Sequence, residues 1–409
     1  MEQAISGYKS YKYRWVVLAV YMYISALTQL YWLNFAAIDT FIEERFSITA
    51  SSVMWFTLVF PLVQVLLSMP AGMVIDRKGF KYGVGIGALF TGLFAMLRLV
   101  NTDSFTVLLI SQIGIAIGQP FVLNGVTKLV VAWFPQKEEA TAVGLGSLAL
   151  LVGMMVGLGA TPALVDFLSF ETMLLIYGVL GILGILLFFS LVKAHPVTPP
   201  REIEVQQEIT GWQGIKHILK MRDFVMLGFI ALIGIGVFNG LATWLEKILY
   251  ELQQIRNTTD AGIISAILVL SGIVGCIIIP LVSDKIMRRK PFLLLASAIG
   301  AVCIIALMVT KSYAANIVNA IFLGFFLISA LPIMLTMSAE ITGARFAGIS
   351  VGYLQLLGNA AAVAIVPIME SMHGITNQFI LPLAFIAGLL GVSFILAMVL
   401  REPARSQKG

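Results

Sequence analysis

Apolar residues along this chain run in long unbroken blocks, without the narrow stripes of a soluble helix or the alternation of a half-buried strand. Blocks of about 20 residues match the length of a helix crossing the hydrocarbon core of a bilayer. Twelve are recognisable, at roughly 15–38, 52–74, 82–100, 105–132, 141–165, 171–193, 223–247, 261–283, 291–310, 314–338, 347–369 and 378–400. One polar stretch, 194–222, divides them six and six. It holds Pro196, Pro199 and Pro200, then a charged, partly amphipathic segment around Trp212–Met221 that predicts a short helix along the membrane surface. The expected organisation is an N-terminal six-helix bundle over 1–193, a cytoplasmic linker over 194–222 and a C-terminal six-helix bundle over 223–409. The fold class is all-α and integral to the membrane.

Composition agrees: 59% of the residues are hydrophobic and 11% charged, more apolar surface than a soluble domain can hide. Charge adds orientation. With the N-terminus inside, twenty Lys and Arg fall on the cytoplasmic side and five (Arg45, Arg98, Lys247, Arg256 and Lys311) outside, while Lys128 lies within a helix. Lys and Arg concentrate on the cytoplasmic side of membrane proteins. Both termini are therefore expected in the cytoplasm, with the chain in a cell (plasma or inner) membrane. The net charge of +5 reflects this topology and gives no ground for a nucleic-acid partner. Segment 1–14 lacks a cleavable signal pattern. Cys276 and Cys303 fall inside helices and read as free thiols. No Walker A loop, H-E-x-x-H, Cys/His cluster or Ser-His constellation is present, and His195, His217 and His373 sit in loops or at helix ends. The expectation is no enzyme, no cofactor and no metal.

Two stretches 208 residues apart carry the most specific signal. The first is Gly72-Met-Val-Ile-Asp76-Arg77-Lys-Gly79-Phe-Lys81, and the second Pro280-Leu-Val-Ser-Asp284-Lys285-Ile-Met-Arg288-Arg289-Lys290. Each closes an apolar helix with a small or helix-breaking residue, an aspartate and a basic cluster. Other segments repeat at nearly the same offset. A shift of 207 places Trp32 on Asn239 and Asp39 on Glu246, and a shift of 206 places 141–162 on 347–368 and Gly153 on Asn359. Repeats of this kind are expected in transporters with a central site. The first stretch closely resembles the G-x-x-x-D-R-x-G-[RK]-[RK] loop between helices 2 and 3 of the major facilitator superfamily, and the second its degenerate partner between helices 8 and 9. That resemblance implies the major facilitator fold, two pseudo-symmetric six-helix bundles, and transport by alternating access. It also implies cytoplasmic gating roles for Gly72, Asp76, Arg77, Lys81, Asp284 and Arg289, with Asp76 meeting a helix end or an arginine of the facing half. Glu340, at the inner end of helix 10, is read as part of the same gate. Helix 5 carries Gly144, Gly146, Gly153, Gly157 and Gly159, for close helix packing or for a sliding contact between halves.

A narrower resemblance rests on Ser111-Gln112-Ile-Gly-Ile-Ala-Ile-Gly-Gln119-Pro-Phe-Val-Leu, continuing through Lys128-Leu-Val-Val-Ala-Trp133-Phe134, and on Ser338-Ala-Glu340-Ile341-Thr342. These are similar to helix 4 and the end of helix 10 in the feline leukaemia virus subgroup C receptor family, carriers associated with choline and ethanolamine and earlier with haem. The resemblance implies substrate-binding roles for Trp32 and Gln119. Two further family positions fall on Asn239, where an aromatic ring is lost, and on Asn359, where a glutamine is shortened. A quaternary ammonium donates no ordinary hydrogen bond and is best held by aromatic faces. Trp32 supplies one wall, and Phe238 or Trp244 is a candidate for another. Gln29, Trp32, Ala36 and Asp39 share one face, being spaced by three or four residues. The pocket is expected near the bilayer midplane, between the halves.

Charges within the membrane are expensive and commonly functional. Lys128 reads either as a snorkelling or ion-paired residue or as an anion-binding group. Asp39 and Glu246 read as solvated outer helix ends, as gate elements or as coupling sites. Function is expected to be secondary-active or facilitative transport of a small organic solute, choline-like or another amine. The alternatives are an organic-anion or drug carrier using Lys128 and, from another class, a non-transporting membrane receptor or scaffold. The partners expected are the solute and the lipid bilayer, with the protein a monomer.

Overall fold

The computed structural model describes residues 9–200 and 211–402. The tails and 201–210 of the expected linker lie outside the described residues. In chain order the helices are α1 (Arg14–Leu33), α2 (Asp39–Phe46), α3 (Ala50–Val53), α4 (Trp55–Lys78), α5 (Phe80–Leu97), α6 (Phe105–Leu123), α7 (Val126–Trp133) and α8 (Glu139–Phe167). Then follow α9 (Phe170–Leu191), α10 (Gly211–Ile218), α11 (Arg222–Gln253), α12 (Thr258–Ile286), α13 (Lys290–Val309), α14 (Tyr313–Thr342), α15 (Ala347–Thr376) and α16 (Ile380–Val399). Twelve helical segments among the described residues are long and apolar enough to cross a membrane, with α6 and α7 forming one span over Phe105–Trp133. The architecture is that of an all-helical, multi-pass membrane protein.

Local chemistry sets the ends. Ser169 Oγ accepts from the Thr172 N–H at 3.1 Å and Asn257 Oδ1 from the Thr259 N–H at 2.9 Å, capping α9 and α12. Gly79 (φ +85°) turns the chain between α4 and α5 within a single residue. Only a residue without Cβ adopts that conformation readily. The expected loop Gly72–Lys81 is thus mostly helix, with Gly72–Lys78 forming the last two turns of α4. The second stretch is likewise helical through Ile286. The first helix, by contrast, does not run to residue 38. It ends at Leu33, and a 3₁₀ turn over Ala36–Ile38 follows. Ala36 and Asp39 therefore leave the face that Gln29 and Trp32 share.

The chain divides into two compact units. The first takes the described residues to Phe35, Ile42–Ile48, and from Trp55 to 200. Within it α1 packs along α8 through glycines: a Cβ on Gly153 would lie 2.1 Å from the Ala26 carbonyl oxygen, and one on Gly157 2.8 Å from that of Leu30. Small residues let membrane helices approach this closely. Gly153 and Gly157 thus serve packing inside this unit, whereas a Cβ on Gly144 would meet nothing within 4 Å. The second unit takes Ala36–Phe41, Thr49–Met54, and the described residues from 211 onward. There Gly236 and Gly358 bring α11 against α15, and Gly324 brings α14 against α12. The short α10 packs on α15, and the Ala36–Ile38 turn on α11 and α12.

Candidate functional site

In the first unit, Trp32 ends α1 with its indole 7% exposed and its Nε1–H donating to the Thr57 carbonyl at 3.1 Å. The ring is thus fixed at its edge. The residues beside it are tied by Gln112 of α6, whose Nε2 donates to the carbonyls of Tyr31 (3.0 Å) and Phe56 (2.9 Å). Gln112 Oε1 in turn accepts from Arg98 Nη2. Arg98 is fully buried, with its guanidinium 5.2 Å from the Tyr31 ring centroid and 5.0 Å from that of Phe35. Its Nε and Nη1 have no acceptor among the described residues. Arg98 therefore belongs to the interior and not to the outer loop where sequence placed it.

Gln29 and Gln119 are 3% and 4% exposed, yet neither amide has a hydrogen-bond partner among the described residues. The same holds for both amide atoms of fully buried Asn34 and for Gln64 Oε1. Buried polar side chains nearly always find a partner; Asn34 and Gln64 depart from that rule, while the amides of Gln29 and Gln119 are left free to bond a small polar molecule. Register brings three of the residues into relation. Tyr31 meets Gln112, and the Tyr21 hydroxyl donates to the Val122 carbonyl at 3.1 Å, so α1 and α6 run antiparallel. Gln119 then lies level with about residue 24 of α1, roughly 12 Å along the axis from Trp32 at 1.5 Å per residue. Helical side chains lean toward their own N-terminus. On antiparallel helices Trp32 and Gln119 therefore lean toward each other, with Gln29 between them in height.

In the second unit, Asn239 and Asn359 each spend one amide proton on their own helix, donating to the Ile235 and Gln355 carbonyls at 2.8 Å. Their amide oxygens accept no bond from the described residues. Phe238 is half-buried. Trp244 is fully buried and donates to the Val366 carbonyl at 3.3 Å, so it is a core residue of the α11–α15 contact and supplies no free aromatic wall.

Most of the charged candidates find partners. Lys128 Nζ lies 2.9 Å from Asp76 Oδ1, and both side chains are about half exposed, at 45% and 51%. Gly72 adjoins this pair: a Cβ there would stand 3.9 Å from Asn124 Nδ2. Arg77 is exposed and Lys81 half-buried. Arg289 lies 2.5 Å from Asp284 and 3.1 Å from Glu340, and Nη1 donates to Ser283 Oγ at 2.8 Å. Burial opposes the charge on Arg289, but the two carboxylates outweigh it and raise its pKa above the ordinary arginine value. Asp39 and Glu246 are each 3% exposed, which overturns their reading as solvated helix ends. Glu246 sits two turns inside α11 and accepts from the Thr40 N–H (3.2 Å) and hydroxyl (2.6 Å). Lys247, counted with the outer loops, is likewise buried at 6% exposure.

Sequence reasoning missed Gln112, Arg98, Asn34, Gln64 and the Thr40–Glu246 contact. An arginine just inside an apolar block was the available signal for Arg98, as was the seven-residue spacing of Gln112 and Gln119 for a shared helix face.

The model of the Major Facilitator Superfamily matches residues 18–367. An uncharacterized MFS-type transporter of Caenorhabditis elegans is 26% identical over 420 residues, covering 97% of this chain and 72% of that protein. An uncharacterized protein of Archaeoglobus fulgidus is 36% identical over 230 residues, 56% of this chain and 100% of its own. The choline/ethanolamine transporter flvcr2a of Danio rerio is 22% identical, covering 99% of this chain and 91% of that protein. Among solved structures, a bacterial homolog of the human lysosomal transporter Spinster, in an inward-facing and unoccupied conformation, superposes with a TM-score of 0.72 at 18% identity, covering 96% of this chain and 94% of that one. It shares the fold.

Proposed function

Because this chain belongs to the major facilitator superfamily, we propose that it is a secondary carrier, moving a small organic amine by alternating access. The observation that carries the substrate class is the presence in one unit of Trp32, held by its Nε1–H, and of buried Gln29 and Gln119, whose amides have no hydrogen-bond partner among the described residues. An aromatic face suits an ammonium group, within about 6 Å of the ring centroid. Amide groups suit a hydroxyl or N–H at the other end of a small molecule. Within the second unit, the amide oxygens of Asn239 and Asn359 accept no bond from the described residues, and such oxygens suit the N–H donors of a primary ammonium. The choline/ethanolamine transporter among the relatives points the same way.

The organic-anion alternative is weakened by the Asp76 carboxylate, which neutralises Lys128 in place. Both ends of the chain are assigned to the cytoplasm on the distribution of Lys and Arg. Asp76, Arg77, Lys81, Asp284, Arg289 and Glu340 are assigned to the gate at that side, and Thr40 with Glu246 to an outer latch.

A ligand that binds only the folded state raises apparent stability by an amount set by its concentration over Kd. Thermal shifts of detergent-purified protein with choline, ethanolamine, betaine, carnitine, polyamines and simple carboxylates test the assignment. Stabilisation by choline or ethanolamine is expected. Stabilisation by carboxylates alone would overturn the substrate class. Bound amine without flux into vesicles would favour a receptor over a carrier.

A further inference from the structure

Outside the residues assigned above to the solute, the first unit carries a groove of about 430 Å³ lined by Lys78, Lys81, Tyr82, Gly85, Ile86, Leu89, Phe189 and Ala194. It runs along the contact of α5 with α9, at the end where α5 begins and α9 finishes. One rim is basic and the rest apolar. Lys78 Nζ stands 4.4 Å from the Tyr82 ring centroid and 3.4 Å from its hydroxyl oxygen, which holds the ammonium at the rim. The turn at Gly79 (φ +85°) lets this last residue of α4 reach the first turn of α5. Neither Lys78 nor Lys81 has a carboxylate partner among the described residues, in contrast to Lys128, Arg45 and Arg289. Lys81 is nevertheless half-buried. The floor is open because Gly85 has no side chain: a Cβ there would already lie 3.2 Å from Phe188 and 3.4 Å from Phe189.

We propose that this groove binds one anionic glycerophospholipid, its phosphate held by Lys78, Lys81 and the Tyr82 hydroxyl and an acyl chain laid along Ile86, Leu89 and Phe189. Two charges without carboxylates at the end of membrane-spanning helices suit an anion at headgroup depth, where basic pockets take acidic lipids. Tyr82, Leu89 and Phe189 are all exposed large apolar or aromatic side chains on spanning helices, the kind of surface that suits lipid. Lys81 to Leu89 covers roughly 12 Å of helix, so the apolar wall continues from the headgroup into the acyl region. A soluble phosphate would use the rim and leave this wall bare. The groove lies apart from Trp32, Gln29 and Gln119, so its occupancy stands or falls independently of the amine assignment.

The test is native mass spectrometry of the full chain with phosphatidylglycerol or phosphatidylcholine, followed by titration of the retained lipid. Wild type is expected to hold one phosphatidylglycerol in preference to phosphatidylcholine. Lys78→Gln/Lys81→Gln should weaken that binding at least tenfold, on the order of 1.4 kcal/mol. Ala194→Trp, in an exposed stretch past α9, fills the groove without touching either lysine and should do the same. Lys285→Gln/Arg288→Gln, which removes two exposed charges of the second unit, should change nothing. Unaltered phosphatidylglycerol binding in both groove variants overturns the proposal. So does an equal loss in the Lys285/Arg288 control, equal retention of phosphatidylcholine, or full displacement by inorganic phosphate.

Discussion

Replacing Gln112 by leucine removes the hydrogen-bond acceptor that buried Arg98 has among the described residues. Gln112 Oε1 accepts from Arg98, and its Nε2 donates to the Tyr31 and Phe56 carbonyls. A hydrogen bond to a charged group contributes about 1.5–3 kcal/mol. Neutral side-chain bonds between membrane helices average about 0.6 kcal/mol each. Leucine fills a similar volume, so no cavity adds to the loss. The expected destabilisation is about 3 kcal/mol, more than a hundredfold in the unfolding equilibrium. Most of it comes from leaving Arg98 charged, buried and facing only the rings of Tyr31 and Phe35. Removing the charge as well should therefore rescue: apolar replacement of a whole buried ionic group is often neutral, whereas removal of one partner is costly. Arg98→Leu/Gln112→Leu should be at least 1 kcal/mol more stable than Gln112→Leu alone, by roughly the margin of a lost charged bond. Reversible unfolding in mixed micelles, titrated with sodium dodecyl sulfate, measures all four members of the cycle. Because Gln112 also holds the backbone beside Trp32, amine affinity should fall in Gln112→Leu. Additive single effects, or a Gln112→Leu protein within about 0.5 kcal/mol of wild type, would refute the claim that this glutamine serves the arginine.

Two glycines of α8 should respond oppositely to alanine. Gly153→Ala forces a Cβ to 2.1 Å from the Ala26 oxygen and is expected to cost about 1–3 kcal/mol, while Gly144→Ala meets nothing and should be neutral or stabilising by up to about 1 kcal/mol. The same unfolding titration reads both. Lys128→Gln breaks a half-exposed pair with Asp76, so stability should change by no more than about 1 kcal/mol and amine binding, followed by isothermal calorimetry, should not change. A loss of carboxylate binding there would favour the anion reading. Glu340→Gln should cost about 1.5–3 kcal/mol, because it withdraws one of two carboxylates from Arg289, which is 5% exposed. Since the pKa of Arg289 is raised, its contribution is fully present below the unfolded arginine value and is lost only as pH rises through the still higher folded one; the arginine itself adds no slope to stability between about pH 6 and 10.

The spans were legible because burial in lipid demands apolar residues in blocks of a fixed length, and nothing else in a chain imitates that. The first, glycine-bearing stretch was legible because the turn at Gly79 needs its φ of +85°. What stayed hidden was pairing. Sequence shows that Lys128 is charged inside a block of apolar residues, but only geometry puts Asp76 2.9 Å from it. Arg98 lay too near the end of its block to be told from a loop residue, and its burial depends on the rings and glutamine that surround it. Glu246 was misjudged because α11 runs two turns farther than its apolar block, through Gln253. Helix ends set by tertiary contacts carry little local signal.

Uptake of radiolabelled choline and ethanolamine into proteoliposomes, by wild type, Trp32→Phe and Trp32→Ala, tests the central claim most directly. The account predicts saturable uptake of at least one amine by wild type, retained in part by Trp32→Phe and reduced at least tenfold in Trp32→Ala protein that unfolds normally. Equal uptake by wild type and Trp32→Ala would remove the aromatic wall, and no uptake of any amine by folded wild-type protein would contradict the substrate class itself.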